Sequence, residues 1–152
     1  MLTFRMATIS DIDLIYNWSN DPLVRESSYN SEPINYDNHQ LWYANKMSDG
    51  NAFFYIFMNN ELPIGLVRIE RTDSETIIGV LVDSQFRGKG FASEMLQHAS
   101  SHFLRIFPDG IIKAYIKKNN TASIKSFLNA GFTNKEEVLF KNTPSYTVTK
   151  TL

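Results

Sequence analysis

The spacing of apolar positions predicts the elements of the N-terminal third. A short strand is expected over residues 2–7, and apolar residues at helical spacing predict a helix through residue 18. Ser10 is the expected N-cap of this helix, and Asp13 completes an acidic variant of the capping box. Turn-forming residues dominate 19–35, which is expected to be irregular. A second helix is expected from Asp37 to the sequence SDGN at 48–51.

From residue 52 onward the period changes from helix to strand. AFFYIFM and LPIGLVRIE flank Asn59-Asn60, an arrangement typical of a β-hairpin. The β-branched sequence TIIGVLV at 76–82 predicts a buried strand. The remaining elements are expected to be a helix over 91–106, a strand over 111–116, a helix over 121–130 that ends at Gly131, and a hairpin of strands near 132–140 and 145–151.

Composition and charge narrow the class of protein. The 152 residues suit one domain, so we expect a single domain over 1–152. A net charge of −1 provides no global field for nucleic acid or an anionic membrane, and neither is an expected partner. The absence of cysteine excludes disulfides and a thiolate nucleophile. Neither a signal peptide nor a long apolar run is present, so a cytoplasmic protein is expected.

A glycine-rich turn lies between the strand at 76–82 and the helix at 91–106. Gly88 and Gly90 would allow several backbone amides at the helix start to converge on one phosphate. Arg87 and Lys89 add positive charge there, although simple solvated turn charges are an alternative interpretation. The sequence differs from the nucleoside-triphosphate P-loop and from the dinucleotide fingerprint, whose third glycine is replaced by Ser93. We therefore expect a pyrophosphate site of another kind.

Two motifs resemble those of a known family. QFRGKGFA, starting at Gln85, resembles the Gln/Arg-x-x-Gly-x-Gly/Ala motif of the GNAT superfamily of acyl-CoA-dependent N-acetyltransferases. NNTASIKSFLNAGF, at 119–132, is similar to that family's Asn-x-x-Ala-x-x-x-Tyr-x-x-x-Gly-Phe segment, with Ser123 in place of the alanine and Phe127 in place of the tyrosine. The resemblance implies the α/β (α+β) GNAT fold: a mostly antiparallel mixed sheet of six to seven strands, about four helices, and a splay between the fourth and fifth strands.

The resemblance also implies that acetyl-CoA is the cosubstrate and lies in this splay. Backbone groups of Leu81 and Val82 would pair with the pantetheine arm, and amides from Arg87 to Ala92 would hold the pyrophosphate. A bulge near Gly79 would aim a backbone group at the thioester. The implied cofactor-binding residues are Leu81, Val82, Gln85, Arg87, Gly88, Lys89, Gly90, Phe91, Ala92, Asn120, Ser123 and Phe127.

Acetyl transfer to an amine calls for a proton acceptor and, in much of the family, a tyrosine that protonates the departing thiolate. Phe127 occupies that tyrosine's position, so Tyr115, Tyr146 or water is expected to replace it.

The expected bases are His39 and Glu70, while Glu75 is expected to be a solvated carboxylate. His98 and His102 lack the intervening glutamate of zinc hydrolases, and no metal site is expected.

The N-terminal third carries a narrower resemblance, in YNWSNDPLVRESSYNSEPINYDNHQLWY. It is similar to the Trp-x-Asn-Asp…Arg…His-x-x-Trp arrangement of bacterial acetyltransferases that modify nucleotide-linked amino sugars, as in pseudaminic-type pathways. Related patterns occur in enzymes that acetylate ribosomal-protein N-termini. The implied substrate-binding residues are Arg25, His39 and Trp42, although Arg25 suits a solvated loop and Trp42 suits the core.

The expected function is N-acetylation of a primary amine on a nucleotide-linked amino sugar by a monomer or homodimer. The alternatives are acetylation of a protein or peptide N-terminus, and a non-catalytic acyl-CoA-binding module.

Overall fold

The computed structural model describes residues 2–152. The chain contains seven strands and five helices, with short 3₁₀ turns at Ile9–Asp11 and Ser84–Phe86 among residues 2–152. The elements are β1 Leu2–Met6, α1 Ile12–Ser19, α2 Pro22–Ser27, α3 Tyr36–Ser48, β2 Ala52–Asn59, β3 Leu62–Arg71, β4 Thr76–Val82, α4 Phe91–Ile106, β5 Ile112–Lys117, α5 Thr121–Asn129, β6 Thr133–Phe140 and β7 Thr143–Lys150.

The seven strands form one mixed sheet in the order β1-β2-β3-β4-β5-β7-β6. Every neighbouring pair is antiparallel except β4 and β5, which are parallel. These two strands pair only at Thr76 with Ile112 and at Ile77 with Lys113. Beyond those residues the strands part, which confirms the expected splay between the fourth and fifth strands.

Helices cover both faces of the sheet because successive strand residues point to opposite sides. On one face α4 and α5 pack on a core that includes Phe57, Ile69 and Ala114. On the other face α1 and α3 pack on a smaller core that includes Phe54, Ile56 and Leu66. We call this second side the α1/α3 face. No helix within residues 2–152 has the length and apolar character needed to cross a membrane.

The N-terminal boundary of α1 differs from the prediction. The capping box lies at the preceding 3₁₀ turn, where Thr8 is the N-cap and the Asp11 carboxylate accepts the backbone amide of Thr8 at 2.8 Å. Asp11, rather than Ser10, is the N-cap residue of α1. Arg5 donates two further hydrogen bonds to Asp11, each 2.8 Å long, which tie β1 to this turn. These bonds lower the pKa of Asp11 below its ordinary value even though burial opposes the change. Ser10 instead bonds to the hydroxyl of Thr8.

The stretch 19–35 was expected to be irregular but contains α2. Pro22 is its first residue, and the carboxylate of Asp21 accepts the amides of Leu23 and Val24 at 3.0 and 3.3 Å. A proline at the first position costs a helix nothing, because that amide has no helical partner in any case. The next helix, α3, is capped by Asn35 rather than by Asp37.

Both tight hairpins use a two-residue turn with positive φ at both positions. The β2–β3 turn is formed by Asn60 and Glu61, one residue later than predicted, and the β6–β7 turn by Lys141 and Asn142. Turns of this shape match the twist of antiparallel strands. The expected closing hairpin is confirmed, with Thr143 and Pro144 inside β7.

Candidate active site

The edge of β4 that faces the splay is defined by its pairing with β3. The amide of Asp83 donates to the carbonyl of Ile64 at 2.7 Å. Because every second residue of an antiparallel strand is hydrogen-bonded to its partner strand, Leu81 also bonds to β3 and Val82 does not. The backbone amide and carbonyl of Val82 therefore point into the splay, whereas those of Leu81 pair with β3. Pairing is unbroken from Thr76 to Val82, so the bulge expected near Gly79 is not formed.

The glycine-rich turn leads from the end of β4 into α4. Gly88 and Gly90 have φ of 75° and 79°, the left-handed region that favours glycine, and α4 begins at Phe91. No heavy atom of the described residues lies within 4 Å of the place where either glycine would carry a Cβ. Open backbone amides at the start of a 16-residue helix fit a pyrophosphate. Lys89 stays beside this turn, with its Nζ 5.7 Å from the ring centre of Phe86.

Gln85 and Ala92, which were also expected at the site, lie on either side of the turn. Gln85 lies in the 3₁₀ turn, where its amide donates to the carboxylate of Asp83 at 2.9 Å. Ala92 is the second residue of α4 and is half-buried. The other carboxylate oxygen of Asp83 accepts the indole N–H of Trp18 at 2.8 Å, which fastens α1 to the end of β4. Sequence reasoning missed Asp83, because its helix-capping pattern gives no sign of the distant Trp18.

Arg87 is ion-paired with Asp21, the residue that caps α2. The two side chains approach to 2.6 Å, and both are largely covered. Burial raises the pKa of Asp21, but hydrogen bonds from Arg87 and from the α2 amides outweigh it and leave the pKa below its ordinary value. A bound phosphate would compete with Asp21 for this guanidinium.

A cavity of about 330 Å³ lies beside this ion pair, between α1 and the end of β4. Its walls combine apolar side chains from α1 with the polar residues that begin the turn. The lining residues are Leu14, Asn17, Trp18, Asp21, Val82, Asp83, Ser84 and Arg87. Two of the expected cofactor-binding residues, Val82 and Arg87, therefore border one space, together with the supporting residues Trp18, Asp21 and Asp83.

The second motif lies at α5, across the splay. Asn120 is the N-cap of this helix, and its side-chain oxygen accepts the amide of Ser123 at 3.2 Å. Phe127 is 3% exposed and meets Phe132 edge-to-face at 5.1 Å. The position at which much of the family has a tyrosine is therefore filled by a core side chain with no hydroxyl.

Tyr115 lies on β5, two residues beyond the last pair with β4. Ile112, Ala114 and Ile116 are buried against α4 and α5, so the alternating Tyr115 faces the α1/α3 side of the splay. Its hydroxyl donates to Glu75 at 2.8 Å. Burial, followed by the Glu75 carboxylate, raises the pKa of Tyr115 to about 12.

Glu75 was expected to be a solvated carboxylate, but Tyr115 and the ammonium of Lys113, 3.8 Å away, hold it at the base of the splay. Tyr146, the other candidate acid, lies on the opposite side of the sheet, beside Lys118 and Lys135.

The two residues expected to act as bases have other contacts. His39 is 2% exposed between α1 and α3, and its Nε2 lies 2.9 Å from the carbonyl oxygen of Ile12. Its ring stacks on Tyr43 at 5.8 Å. The carboxylate of Glu70 lies 2.6 Å from the ammonium of Lys46. The structure brings neither residue to the cavity beside Arg87.

Arg25 was expected to contact substrate, but its donors are used within its own segment. It bonds to the carbonyls of Ser19, Asn30 and Glu32 and to the hydroxyl of Ser28, at 2.7 to 3.2 Å. This set of bonds fixes the chain around α2.

Trp42, the other expected substrate contact, is half-buried and packs against Phe54 with ring centres 5.8 Å apart. The guanidinium of Arg68 lies over the same indole ring.

The segment after α2 crosses to the other half of the sheet. Tyr29 and Ser145 share a hydrogen bond of 2.7 Å, and Lys117 donates to the carbonyl of Glu26 at 2.9 Å. The ring of Tyr29 also meets Phe140 edge-on at 4.9 Å. Asp21 is bound to Arg87 on the β4 side, so the segment from Asp21 to Tyr29 crosses the splay and covers it on the α1/α3 face.

Comparison with known proteins identifies the family. Residues 1–133 match the model of the acetyltransferase (GNAT) domain. The chain belongs to the GNAT acetyltransferase family. This assignment confirms the predicted class, an acetyl-CoA-dependent acetyltransferase domain, and the seven-stranded mixed sheet agrees with the expected GNAT fold.

Individual relatives agree with this assignment. The GNAT chain is 31% identical over 96 residues to the uncharacterized N-acetyltransferase YfmK of Bacillus subtilis (strain 168), an alignment that covers 60% of this chain and 62% of YfmK.

Two solved structures share the fold at lower identity. Aminoglycoside acetyltransferase AAC(6')-Ib with coenzyme A and kanamycin has a TM-score of 0.83 at 22% identity, covering 99% of this chain and 95% of that one. Spermidine N-acetyltransferase from Vibrio cholerae with CoA and spermine has a TM-score of 0.86 at 18% identity, covering 98% and 94%.

Proposed function

We propose that this GNAT chain transfers the acetyl group of acetyl-CoA to a primary amine on a nucleotide-linked amino sugar. The observation that carries the proposal is the parting of β4 and β5 directly before the turn at Gly88 and Gly90. The turn accommodates a pyrophosphate, and the backbone of Val82 faces the space for the pantetheine arm. On the α1/α3 face, the open space at Gly79 admits an amine. Donor and acceptor then meet within the splay.

Tyr115 and Glu75 supply the path for the proton that the amine loses. The nitrogen forms its bond to the acetyl carbon while the bond from that carbon to the sulfur of CoA breaks. The nitrogen's proton passes to the oxygen of Tyr115, whose own proton moves to Glu75 along their 2.8 Å hydrogen bond. CoA leaves as a thiolate, which is a tolerable leaving group without an acid because thiols have a pKa of about 8.5. The reaction therefore does not need the hydroxyl that a tyrosine at position 127 would supply.

The choice of an amino sugar rests on the resemblance of the N-terminal third and on the relatives, and not on direct contacts of Arg25, His39 or Trp42, whose side chains are engaged within the chain. The solved structures of the same fold hold kanamycin or spermine, both small molecules with amino groups. The splay of this chain is bordered by aromatic rings: Tyr115 stacks on Phe140 at 4.0 Å, and Tyr29 lies against Phe140. Apolar ring faces of this kind suit the C–H surface of a sugar.

The test is release of CoA thiol by the purified full chain. The acceptors are a UDP-linked amino sugar, glucosamine, kanamycin, spermidine and a dipeptide, each with acetyl-CoA. The proposal predicts the highest kcat/KM for the nucleotide-linked sugar. Turnover of the dipeptide alone would point to acetylation of peptide N-termini instead. A chain that binds acetyl-CoA and acetylates none of these amines would contradict the proposed acceptor.

A further inference from the structure

Arg68 lies in the middle of β3, on the α1/α3 face of the splayed sheet. Its partners in the sheet are Phe54 on β2 and Gly79 on β4, so the three residues form one row across the strands. Phe54 belongs to the core under α1 and α3, and directly opposite residues in a sheet share a face. The last β4–β5 pair is Ile77 with Lys113, and two residues further along the parallel strands Gly79 lies opposite Tyr115, across the splay. Arg68 therefore stands on the side from which the acceptor would approach.

The guanidinium of Arg68 is positioned but has no ionic partner. Its Cζ lies 5.3 Å from the ring centre of Trp42 and 5.8 Å from that of Phe54. Stacking on aromatic faces orients the planar group and leaves its N–H donors at the edge. Among residues 2–152 it forms no hydrogen bond or ion pair, whereas Arg5 and Arg87 are both paired with carboxylates. A half-buried fork of donors in this state is suited to a ligand's oxygen atoms.

Space for that ligand is present beside Arg68. Gly79, its neighbour on β4, would have no heavy atom of the described residues within 4 Å of an added Cβ. The other three members of the row, Phe54, Arg68 and Tyr115, carry large side chains. A glycine here leaves no side chain between Arg68 and Tyr115, so a molecule held there, beneath the segment after α2, would reach both.

The charges around this space favour an anion. Lys117 shares the face of Tyr115 and its ammonium binds a backbone carbonyl, that of Glu26, rather than a carboxylate. Arg25 is close enough to Arg68 that its pKa is lowered by burial and then by the Arg68 charge. The nearby carboxylates are already engaged, Glu70 by Lys46 and Glu75 by Tyr115 and Lys113. A polyamine would therefore be repelled, although the fold is shared with a spermidine acetyltransferase.

We propose that Arg68 binds an anionic group, a phosphate or a carboxylate, on the same molecule that presents the amine. This inference rests on the proposed acetyltransferase function and adds a residue that selects the acceptor. Amines with an attached anion are accepted, while their uncharged or polycationic counterparts are poor substrates. Sugar phosphates and nucleotides carry the phosphate, and amino acids carry the carboxylate, so the two sources are tested separately.

The experiment compares acceptors that differ only in the anion. Glucosamine is paired with glucosamine 6-phosphate, and alaninamide with alanine, in a CoA-release assay with acetyl-CoA. The variants are Arg68→Gln and Arg68→Lys, and the control is Arg71→Gln. Arg71 lies on the same strand but packs on the opposite face, with its Cζ 4.0 Å from the ring centre of Phe107.

Wild type should favour the anionic member of at least one pair, and the pair that responds identifies the anion. Arg68→Gln should reduce kcat/KM for that acceptor by roughly tenfold to a hundredfold, the usual effect of removing a charged hydrogen bond, and should reduce it much less for the uncharged partner. Arg68→Lys should retain part of the preference, and Arg71→Gln should resemble wild type. Equal turnover of both members of each pair, or equal effects of the Arg68 and Arg71 substitutions, would overturn the inference.

A binding measurement covers the case in which none of these amines is acetylated. Calorimetry with each acceptor added to the CoA-loaded protein should give tighter binding of the anionic member to wild type than to Arg68→Gln. No difference between the two proteins would overturn the role of Arg68. A different result, the absence of acetyl-CoA binding, would contradict the proposed acetyltransferase function itself. Unchanged thermal unfolding and CoA affinity of Arg68→Gln would show that the variant is folded.

Discussion

Residue 127 shows how one substitution changes the chemistry available to the site. A tyrosine at this position is the expected acid in much of the GNAT family, but Phe127 is buried against Phe132 and has no proton to give. Tyr115 lies where β4 and β5 begin to part, and its hydroxyl is already directed at Glu75. The sequence suggested Tyr115 among several replacements. It could not reveal the partnership with Glu75, because the two residues are 40 positions apart in the chain and meet only where β4 and β5 begin.

Removing either member of this pair should slow turnover more than it weakens binding. Glu75→Gln keeps the shape of the side chain but accepts no proton, so kcat should fall by about 10²–10⁴-fold. Tyr115→Phe should have an effect of the same order. Steady-state CoA release at saturating acetyl-CoA measures both, with Tyr146→Phe as a control on the other side of the sheet. Full activity of Glu75→Gln would exclude the proposed proton path.

Since the pKa of Tyr115 is raised to about 12, its ionisation should leave no step in the pH–rate profile below about pH 10.

At the scale of elements, strands and long helices were the most predictable features. The alternating and β-branched runs of β2 to β4 and the helical spacing of α4 reflect burial on defined faces, and such periods can be seen in one sequence. The short helix α2 was missed because its six residues have no apolar period. It is held instead by Asp21 and by the carbonyls that Arg25 binds, and these contacts are visible only in three dimensions. Arg25 appeared available for a substrate because the carbonyls that it binds cannot be identified from the sequence.

Gly65 on β3 provides a test of how β4 is positioned. An added Cβ at Gly65 would lie 2.5 Å from the carbonyl oxygen of Leu81 and 2.7 Å from Cε of Met95. The Met95 side chain can move, but the Leu81 carbonyl belongs to the strand that borders the splay. Gly65→Ala should therefore destabilise the protein by about 1–3 kcal/mol and weaken acetyl-CoA binding.

Urea unfolding and calorimetry with acetyl-CoA measure these two effects. Gly79→Ala is the matched control for stability, because its Cβ would enter open space, and its free energy of unfolding should stay close to that of wild type. Equal stability of the Gly65 and Gly79 variants would show that the end of β4 tolerates displacement.

For the molecule as a whole, buried phenols link stability to alkaline pH. Burial raises the pKa of Tyr55 to about 12 and also raises the pKa of Tyr43 and Tyr115. The unfolded chain loses these protons near the ordinary pKa of about 10, before the folded protein does. The stabilisation is complete below about pH 10 and is lost as the pH rises toward the folded-state values.

Urea unfolding at about pH 9, 10 and 11 should show this decline, with a slope of at most about 1.4 kcal/mol per pH unit for each tyrosine. Tyr55→Phe removes one of the three groups and also the hydrogen bond to His102. It should start less stable at the lower pH and then decline less steeply than wild type. Parallel declines in the two proteins would mean that Tyr55 does not contribute to the alkaline loss.

The central claim about the whole molecule is that the splay and the glycine-rich turn form a site for acetyl-CoA. The measurement that tests it most directly is thermal unfolding of the full chain with and without acetyl-CoA, with ATP and NADH as controls. At about 100 times its dissociation constant, acetyl-CoA should add about 2.7 kcal/mol, or roughly 5 to 10 °C in Tm. A shift that acetyl-CoA produces and the controls do not is the predicted result. No shift, or an equal shift with ATP, would contradict the assignment of the site.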